Sequence, residues 1–349
     1  MKSNTYYILL LLLGLFISCQ KTVLGPSMDA SPERIFEQIW TDFDLHCGIF
    51  YPKGINWDSL YSVYRPQVSP STTDDELWNV LTQMLEELDD EHTFINNPHG
   101  KQLHVSGSAG IDYAIQSFSR ELIQEKYLSY STLHPWAEDL EYGQLKEKSI
   151  GYIYLSDVDG HQPAKIMDDV LAEIGQHQAI IFDVRNNGGG KGDFARLITN
   201  AFAQDTKLVM TEQVRNGPAH DAFESKVELY TENDKLNQFN KPVVLLTDRF
   251  SVSGAEHIAL YLKSNSHVTH IGGTTAGAFS TTGNRRFLPN GWEYQYPIEM
   301  NLNAKGESLE GIGVIPDIAV SNTPEDIAAG QDLVLETAIA FLYEKFGIE

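Results

Sequence analysis

An α/β core behind a helical N-terminal region is the fold class that this sequence predicts, and three observations carry it. The 349 residues are 42% hydrophobic and 21% charged, the composition of an ordinary globular chain able to bury a sizeable core. Two runs near the N-terminus repeat their apolar residues at helical spacing. From Ile150 onward, short apolar strands alternate with helical segments, the pattern of a layered α/β sheet. The length suits two domains, or one large domain with an appendage. Asp and Glu outnumber Lys and Arg 48 to 25, a net charge of −23 with no basic run, which disfavours nucleic-acid binding.

The elements follow in order. Lys2, the apolar run Tyr6 to Ile17 and then Ser18-Cys19 resemble a bacterial lipoprotein signal. About twelve apolar residues are too few to span a bilayer. Residues 1–18 read as the signal peptide, Cys19 as the lipid attachment site and residues 19–30 as an unpatterned tether. The implied location is the bacterial cell envelope, periplasmic or outer-membrane facing. Cys47 is then the only other cysteine; it has no partner for an intrachain disulfide and reads as structural. Ser31-Pro32 starts a helix with Ile35, Phe36, Ile39, Trp40 and Phe43 on one face. Thr73 and Glu76 have capping-box spacing ahead of a second helix that buries Leu77, Val80, Leu81, Met84, Leu85 and Leu88. Residues 31–97 form the predicted N-terminal helical domain, 98–148 a connecting segment and 149–349 the α/β core. In that core, strands are predicted at Ile150–Leu155, Ala179–Val184, Val243–Thr247 and Val268–Ile271. Helices are predicted at Ala164–Ile174, Phe194–Ala203 and Gly254–Lys263, with another around Leu333 to Leu342. Asn290-Gly291 marks a hairpin between Arg286–Leu288 and Trp292–Tyr296.

Four segments could carry chemistry. Asp183-Val184-Arg185-Asn186-Asn187-Gly188-Gly189-Gly190 follows a buried strand, and its glycines let backbone N–H groups approach a ligand. The loop suits an oxyanion hole and equally a tight connection. Gly190 to Ala195 also fits a dinucleotide-binding pattern, with Glu212 where a ribose-binding acid would stand. Thr247 to Glu256 runs from a strand into a helix, so Ser251 or Ser253 is either an exposed nucleophile or an N-cap. Leu88-Asp89-Asp90-Glu91-His92-Thr93 offers a histidine base or a solvated helix end. Glu310 to Asp317 reads locally as a glycine-rich turn and a strand.

In this order the four segments resemble the tail-specific, or C-terminal processing, family of serine peptidases. The Ile271-Gly272-Gly273-Thr274-Thr275-Ala276-Gly277 turn and Gly54-Ile55-Asn56-Trp57-Asp58 look like other parts of the same family, and the likeness covers most of residues 31–325. It implies a crotonase/ClpP-like α/β core, Ser253 as nucleophile, and oxyanion-hole N–H groups from Gly189 and Gly254. Many members use a lysine base where Ala278 stands, and no lysine lies between Lys263 and Lys305. The likeness therefore falls on the tricorn-like branch, which includes the interphotoreceptor retinoid-binding protein and which uses histidine and glutamate. Its pattern places the base at His92 and the glutamate at Glu310. Tricorn-like enzymes carry serine directly before the histidine; Glu91 stands there instead. His257, one helical turn from Ser253, is a local competitor for the base.

The activity implied is an exported, lipid-anchored serine peptidase acting on peptides or unfolded C-terminal tails, with no metal or organic cofactor. The family's peptide-binding PDZ domain is not evident, since residues 98–148 leave only about fifty positions for it. Two readings compete with the enzyme: a non-catalytic ligand- or peptide-binding lipoprotein on the same fold, and an NAD-dependent oxidoreductase built on Gly190 to Ala195.

Overall fold

The computed structural model describes residues 29–159, 163–233, 237–283 and 285–348, so the signal segment and Cys19 lie outside the described residues. Pro32–His46 is the first helix, and its Ile35, Phe36, Ile39 and Phe43 are buried as their spacing predicts. Helix Asp74–Glu86 has the predicted capping box: Glu76 N–H donates to Thr73 Oγ1 (3.3 Å), and Thr73 N–H donates to Glu76 Oε2 (2.8 Å). The chain then forms an antiparallel pair, β1 (Phe94–Asn97) and β2 (Gln102–Val105).

Residues 98–148 are more than a connection. They supply β2, a short helix at Ile111–Gln116, and the antiparallel strands β3 (Leu128–His134) and β4 (Ala137–Leu145). Both later strands belong to the main sheet, which therefore starts about twenty residues before the predicted core boundary. Their pattern is hidden for a physical reason. β3 is the edge strand and buries only its two ends, so it lacks a run of apolar alternation.

The remaining strands are β5 (Ile150–Leu155), β6 (Ala179–Asp183), β7 (Lys207–Val214), β8 (Val227–Thr231), β9 (Val243–Thr247), β10 (Val268–Gly272), β11 (Arg286–Phe287), β12 (Glu293–Gln295), β13 (Glu299–Asn303) and β14 (Ile318–Ala319). The seven-stranded sheet has the order β14-β10-β9-β6-β5-β4-β3. It is parallel from β14 to β5 and antiparallel beyond. Alternate side chains feed two faces. Ile153, Phe182 and Leu245 pack with helices Pro163–Ile174, Gly192–Thr199 and Gly254–Lys263. Tyr152, Ile181 and Val244 pack against Val334, Leu335, Ala338 and Leu342 of the C-terminal helix Leu333–Phe346. Strands β13, β7 and β8 make a separate antiparallel sheet that the sequence reading did not identify.

The N-terminal region is not wholly helical and does not close its own core. β1 pairs with β12 of the predicted hairpin, and Leu288, Trp292, Tyr294 and Tyr296 join Phe36, Phe43, Trp57 and Leu81 in one apolar cluster. The two cores are thereby stitched together by residues distant in sequence. This stitching decides where the N-terminal segment can meet the α/β sheet.

Arg185 anchors the end of β6. Its fully buried guanidinium meets Asp183 at 2.6 Å and Asp332 at 2.8 Å, while Asp332 also accepts from Asn322 Nδ2 (3.0 Å) and Leu335 N–H (3.0 Å). The arginine thus ties the sheet to the C-terminal helix. Replacing Arg185 with Met would leave two buried carboxylates without their cation, and urea unfolding should show a loss of about 3–5 kcal/mol. A loss under about 1 kcal/mol, the size of a surface pair, would show that the network is not stabilising.

Candidate active site

Ser253 sits where β9 hands over to helix Gly254–Lys263, with φ +54°, a backbone conformation costly for a residue with a Cβ. The loop before it is pinned from several sides. Asp248 accepts N–H bonds from Asn186 (3.1 Å) and Phe250 (2.9 Å), and Val252 N–H donates to Asn187 O (3.0 Å). Ser251, the other candidate serine, is fully buried and donates to Val184 O at 2.8 Å, so it is a structural member of this loop. Ser253 remains partly exposed.

Glu256, at the third helical position, holds the turn from the other side. Its carboxylate is completely buried and accepts from Thr275 Oγ1 (2.6 Å), Gly277 N–H (2.6 Å), Ala278 N–H (2.8 Å) and Ser253 N–H (3.1 Å). Burial pushes its pKa up to about 7, against the pull of those donors. Ala278, where a lysine base would stand, is itself buried and serves through its backbone. Sequence reasoning noted Glu256 only as a marker of spacing. The capping-box distance from Ser253 was the available signal.

The glycine loop lies directly against the serine. A Cβ on Gly189, whose φ is +101°, would fall 2.7 Å from Ser253 Cβ and 2.7 Å from Val252 O. The Gly189 N–H, however, donates to Asn187 Oδ1 at 2.8 Å. The expected donor role of Gly189 is therefore replaced by a steric one: it makes room for Ser253. Gly254 is the first residue of its helix, where backbone N–H groups have no intrahelical acceptor. The dinucleotide reading fails here as well. A Cβ on Gly192 would meet His257 Nδ1 at 2.6 Å and one on Gly190 would meet the Val158 backbone at 2.7 Å, so protein fills the space a pyrophosphate would need. Glu212 lies on β7 in the separate three-stranded sheet, opposite Asn301.

His92 comes from the other core. It lies inside a turn closed by Thr93 N–H to Asp90 O (2.9 Å), and its Nδ1 lies 3.5 Å from Asp90 Oδ1. Burial lowers its pKa, but Asp90, Glu256 and Glu91 together win and leave it above 6.5. His257 is different. Its pKa is pushed down to about 4, chiefly by burial, and its ring packs on Phe279 with Nε2 3.3 Å from Phe279 O. It stays neutral and structural.

Glu310 is buried, accepts the Phe279 N–H at 3.2 Å, and leaves Oε1 without a partner. Burial first, then the like charges of Asp90 and Glu256, raise its pKa well above that of an ordinary carboxyl group. Lys53 closes this side, donating to Leu88 O (2.7 Å) and Asp89 O (2.6 Å). Asp90 and Lys53 touch the His92 turn and were passed over in the sequence reading, since one looked like a solvated helix end and the other ends the short helix Phe50–Lys53. Among the described residues, no group of three or more His, Cys, Asp or Glu side chains is placed to hold a metal ion.

With this geometry in view, comparison with known proteins is decisive on family. The profile of peptidase family S41 matches residues 149–320, and that of the tricorn protease C1 domain matches residues 28–86. The matched region, just under half of the chain, is an S41 peptidase domain. The chain is similar to the carboxy-terminal processing protease CtpA of Bacillus subtilis, 27% identical over 51% of this chain and 36% of that protein. It is similar also to tricorn protease homolog 1 of Streptomyces coelicolor, 27% identical over 63% of this chain and 19% of that one. The chain thus spans well under half of either curated relative. A solved structure of a candidate peptidase from Parabacteroides merdae covers 90% of this chain and 97% of its own, with 27% identity and a TM-score of 0.80. These matches establish the S41 fold, with the helical N-terminal region and sheet core predicted from sequence.

The S41 site yields a direct steric test. Gly189→Ala should cost about 1–3 kcal/mol of stability by overpacking, and should displace the Ser253 turn. Gly188→Ala is the control: its Cβ would meet only Phe250 Cζ, at an ordinary 3.7 Å, and thermal unfolding should be unchanged. Equal effects at both positions would contradict the assigned role of Gly189.

Proposed function

We propose that this chain is an exported, lipid-anchored serine endopeptidase that cleaves peptides or unfolded C-terminal tails through an acyl-enzyme. The observation that carries the reading is the Ser253 turn, with its left-handed backbone conformation, the Gly254 N–H beside it and the clearance left by Gly189. The S41 peptidase domain supports the reaction class, and the apolar run before Cys19 supports export and anchoring.

In the proposed reaction, His92 takes the proton from Ser253 Oγ as that oxygen bonds to the carbonyl carbon of the scissile peptide. The tetrahedral oxyanion is held at the Gly254 N–H, a donor already fixed before reaction. Collapse breaks the C–N bond, and the leaving amine takes the proton from His92. Water then enters, gives its proton to the same imidazole and attacks the acyl carbonyl; the bond to Ser253 Oγ breaks, the acid product leaves, and the imidazole returns the proton to that oxygen. Asp90 orients the imidazole. Glu310, whose pKa is raised by burial and by the like charges of Asp90 and Glu256, steadies the Phe279 backbone by accepting its N–H.

Two measurements test this. Fluorophosphonate treatment of the full chain should place one adduct on Ser253, located by mass spectrometry and lost in Ser253→Ala and His92→Ala. A folded chain that takes no adduct would favour ligand binding on the same fold. Activity should also depend on pH in a definite direction. The base must be neutral, and the His92 pKa is raised above 6.5, so the rate should rise with pH through a midpoint above that value. A rate flat between pH 5 and pH 8, where an ordinary histidine titrates, would remove His92 from the role.

A further inference from the structure

Ser253 and His92 belong to separately packed segments, so something must fix their register. The loop carrying Ser253 is bound to the sheet through Asp248, Ser251 and Val252. The turn carrying His92 hangs from the end of helix Asp74–Glu86, outside that sheet. Arg249, four residues before Ser253, reaches across. Its Nη1 lies 2.6 Å from Glu91 Oε1 in an ion pair that lacks hydrogen-bond geometry, and its Nη2 donates to Gly107 O at 2.8 Å.

Both landing points grip the His92 turn. Glu91 precedes His92 directly. Gly107 packs so closely on the other side that a Cβ there would sit 2.6 Å from the Asp90 nitrogen. Its neighbour Ser106 donates its N–H to Thr93 O (2.9 Å) and accepts the Asp90 N–H on Oγ (3.3 Å). The Glu91 side chain is only 8% exposed, and among the described residues Arg249 is the one cation within ion-pair distance of it. A buried carboxylate is costly to keep unless its partner is well placed, and a planar guanidinium can meet two acceptors at once where an ammonium cannot.

We propose that Arg249 and Glu91 form a two-pronged clamp that registers His92 against Ser253, which makes both of them positioning residues for the reaction. The inference rests on the roles proposed above for Ser253 and His92. Neither clamp residue needs to touch substrate. Their effect is on the placement of the imidazole, where an error of about 1 Å can cost about 10²-fold in rate.

The test uses the full chain and the rate of fluorophosphonate labelling at Ser253. Glu91→Gln and Arg249→Gln should each slow labelling by about 10²-fold, while the final extent stays stoichiometric, which a partly unfolded population would not allow. The double variant should be no slower than the slower single, because both remove the same contact. Arg249→Lys, which keeps the charge without the fork, should fall between wild type and Arg249→Gln. Single variants within about twofold of wild type, or a double variant showing the product of two independent losses, would overturn the clamp. Hydrogen exchange separates this from the reading beneath it. Whether or not Ser253 labels, Arg249→Gln should raise exchange in residues 89–93 and leave β5 unchanged. An unlabelled wild type with that exchange change refutes the catalytic reading alone, and unchanged exchange refutes the clamp.

Discussion

A fully buried carboxylate with four donors, that of Glu256, is the interaction on which the rest of the site depends. An ionised carboxyl group buried without partners would be prohibitively costly, so its surroundings must supply hydrogen bonds or neutralise it. Here three come from the segment Thr275–Ala278 and the fourth from Ser253 itself. The same group therefore fastens the start of the helix to the loop beyond β10. Through Phe279 and its bond to Glu310, that loop carries the constraint on to the glycine-rich segment at 310–313. The left-handed conformation of Ser253 survives because Glu256 on one side and the Asp248 anchor on the other leave the chain no cheaper path. Strain at a serine with a free N–H beside it is a chemical arrangement as well as a structural one.

The site lies at a junction between cores, and this explains several features together. In the proposed site the sheet supplies the nucleophile turn and the turn after helix Asp74–Glu86 supplies the imidazole, and the β1–β12 pairing ties the strand that follows His92 to the hairpin of the α/β part. Lys53 then caps the carbonyls of Leu88 and Asp89, and Arg249 crosses to Glu91. Each of these contacts is polar and joins segments remote in sequence. Catalytic groups held this way are placed by the packing of whole elements, so small shifts between the cores would alter the chemistry before they altered stability. The departure at Glu91 from the tricorn-like pattern acquires a physical meaning in that setting, since a carboxylate can meet a guanidinium where a hydroxyl would make a weaker bond.

Much of the fold was legible because its signals are local. Helices Pro32–His46 and Asp74–Glu86 announce themselves through periodicity and caps, and β5, β6, β9 and β10 through short apolar runs with helices between them. β3 and β4 escaped notice because an edge strand need not alternate, and Gly143, opposite Ser131, interrupts the apolar pattern of β4. Among the candidate site residues, Ser253, His92, Glu310 and Gly254 were named from the family resemblance that the order of the motifs carries. The use of Gly189 could not be read this way, because only coordinates show its N–H turned to Asn187. Nor could the spent space at Gly190 and Gly192, since a glycine pattern looks the same whether ligand or protein fills the gap. Arg249 and Glu91 each lie inside a motif segment, but their pairing was not legible, because an ion pair between distant segments leaves no trace in a single sequence.

The central claim is that one pocket joins Ser253 Oγ, the Gly254 N–H and the His92 imidazole. A crystal structure of the fluorophosphonate-treated chain tests it most directly. The account predicts phosphorus bonded to Ser253 Oγ, one phosphonyl oxygen about 3 Å from the Gly254 nitrogen, and the imidazole turned toward the adduct with Asp90 behind it. An adduct whose oxygen is held by other donors, an imidazole turned away from it, or phosphorus on any other residue would contradict the account.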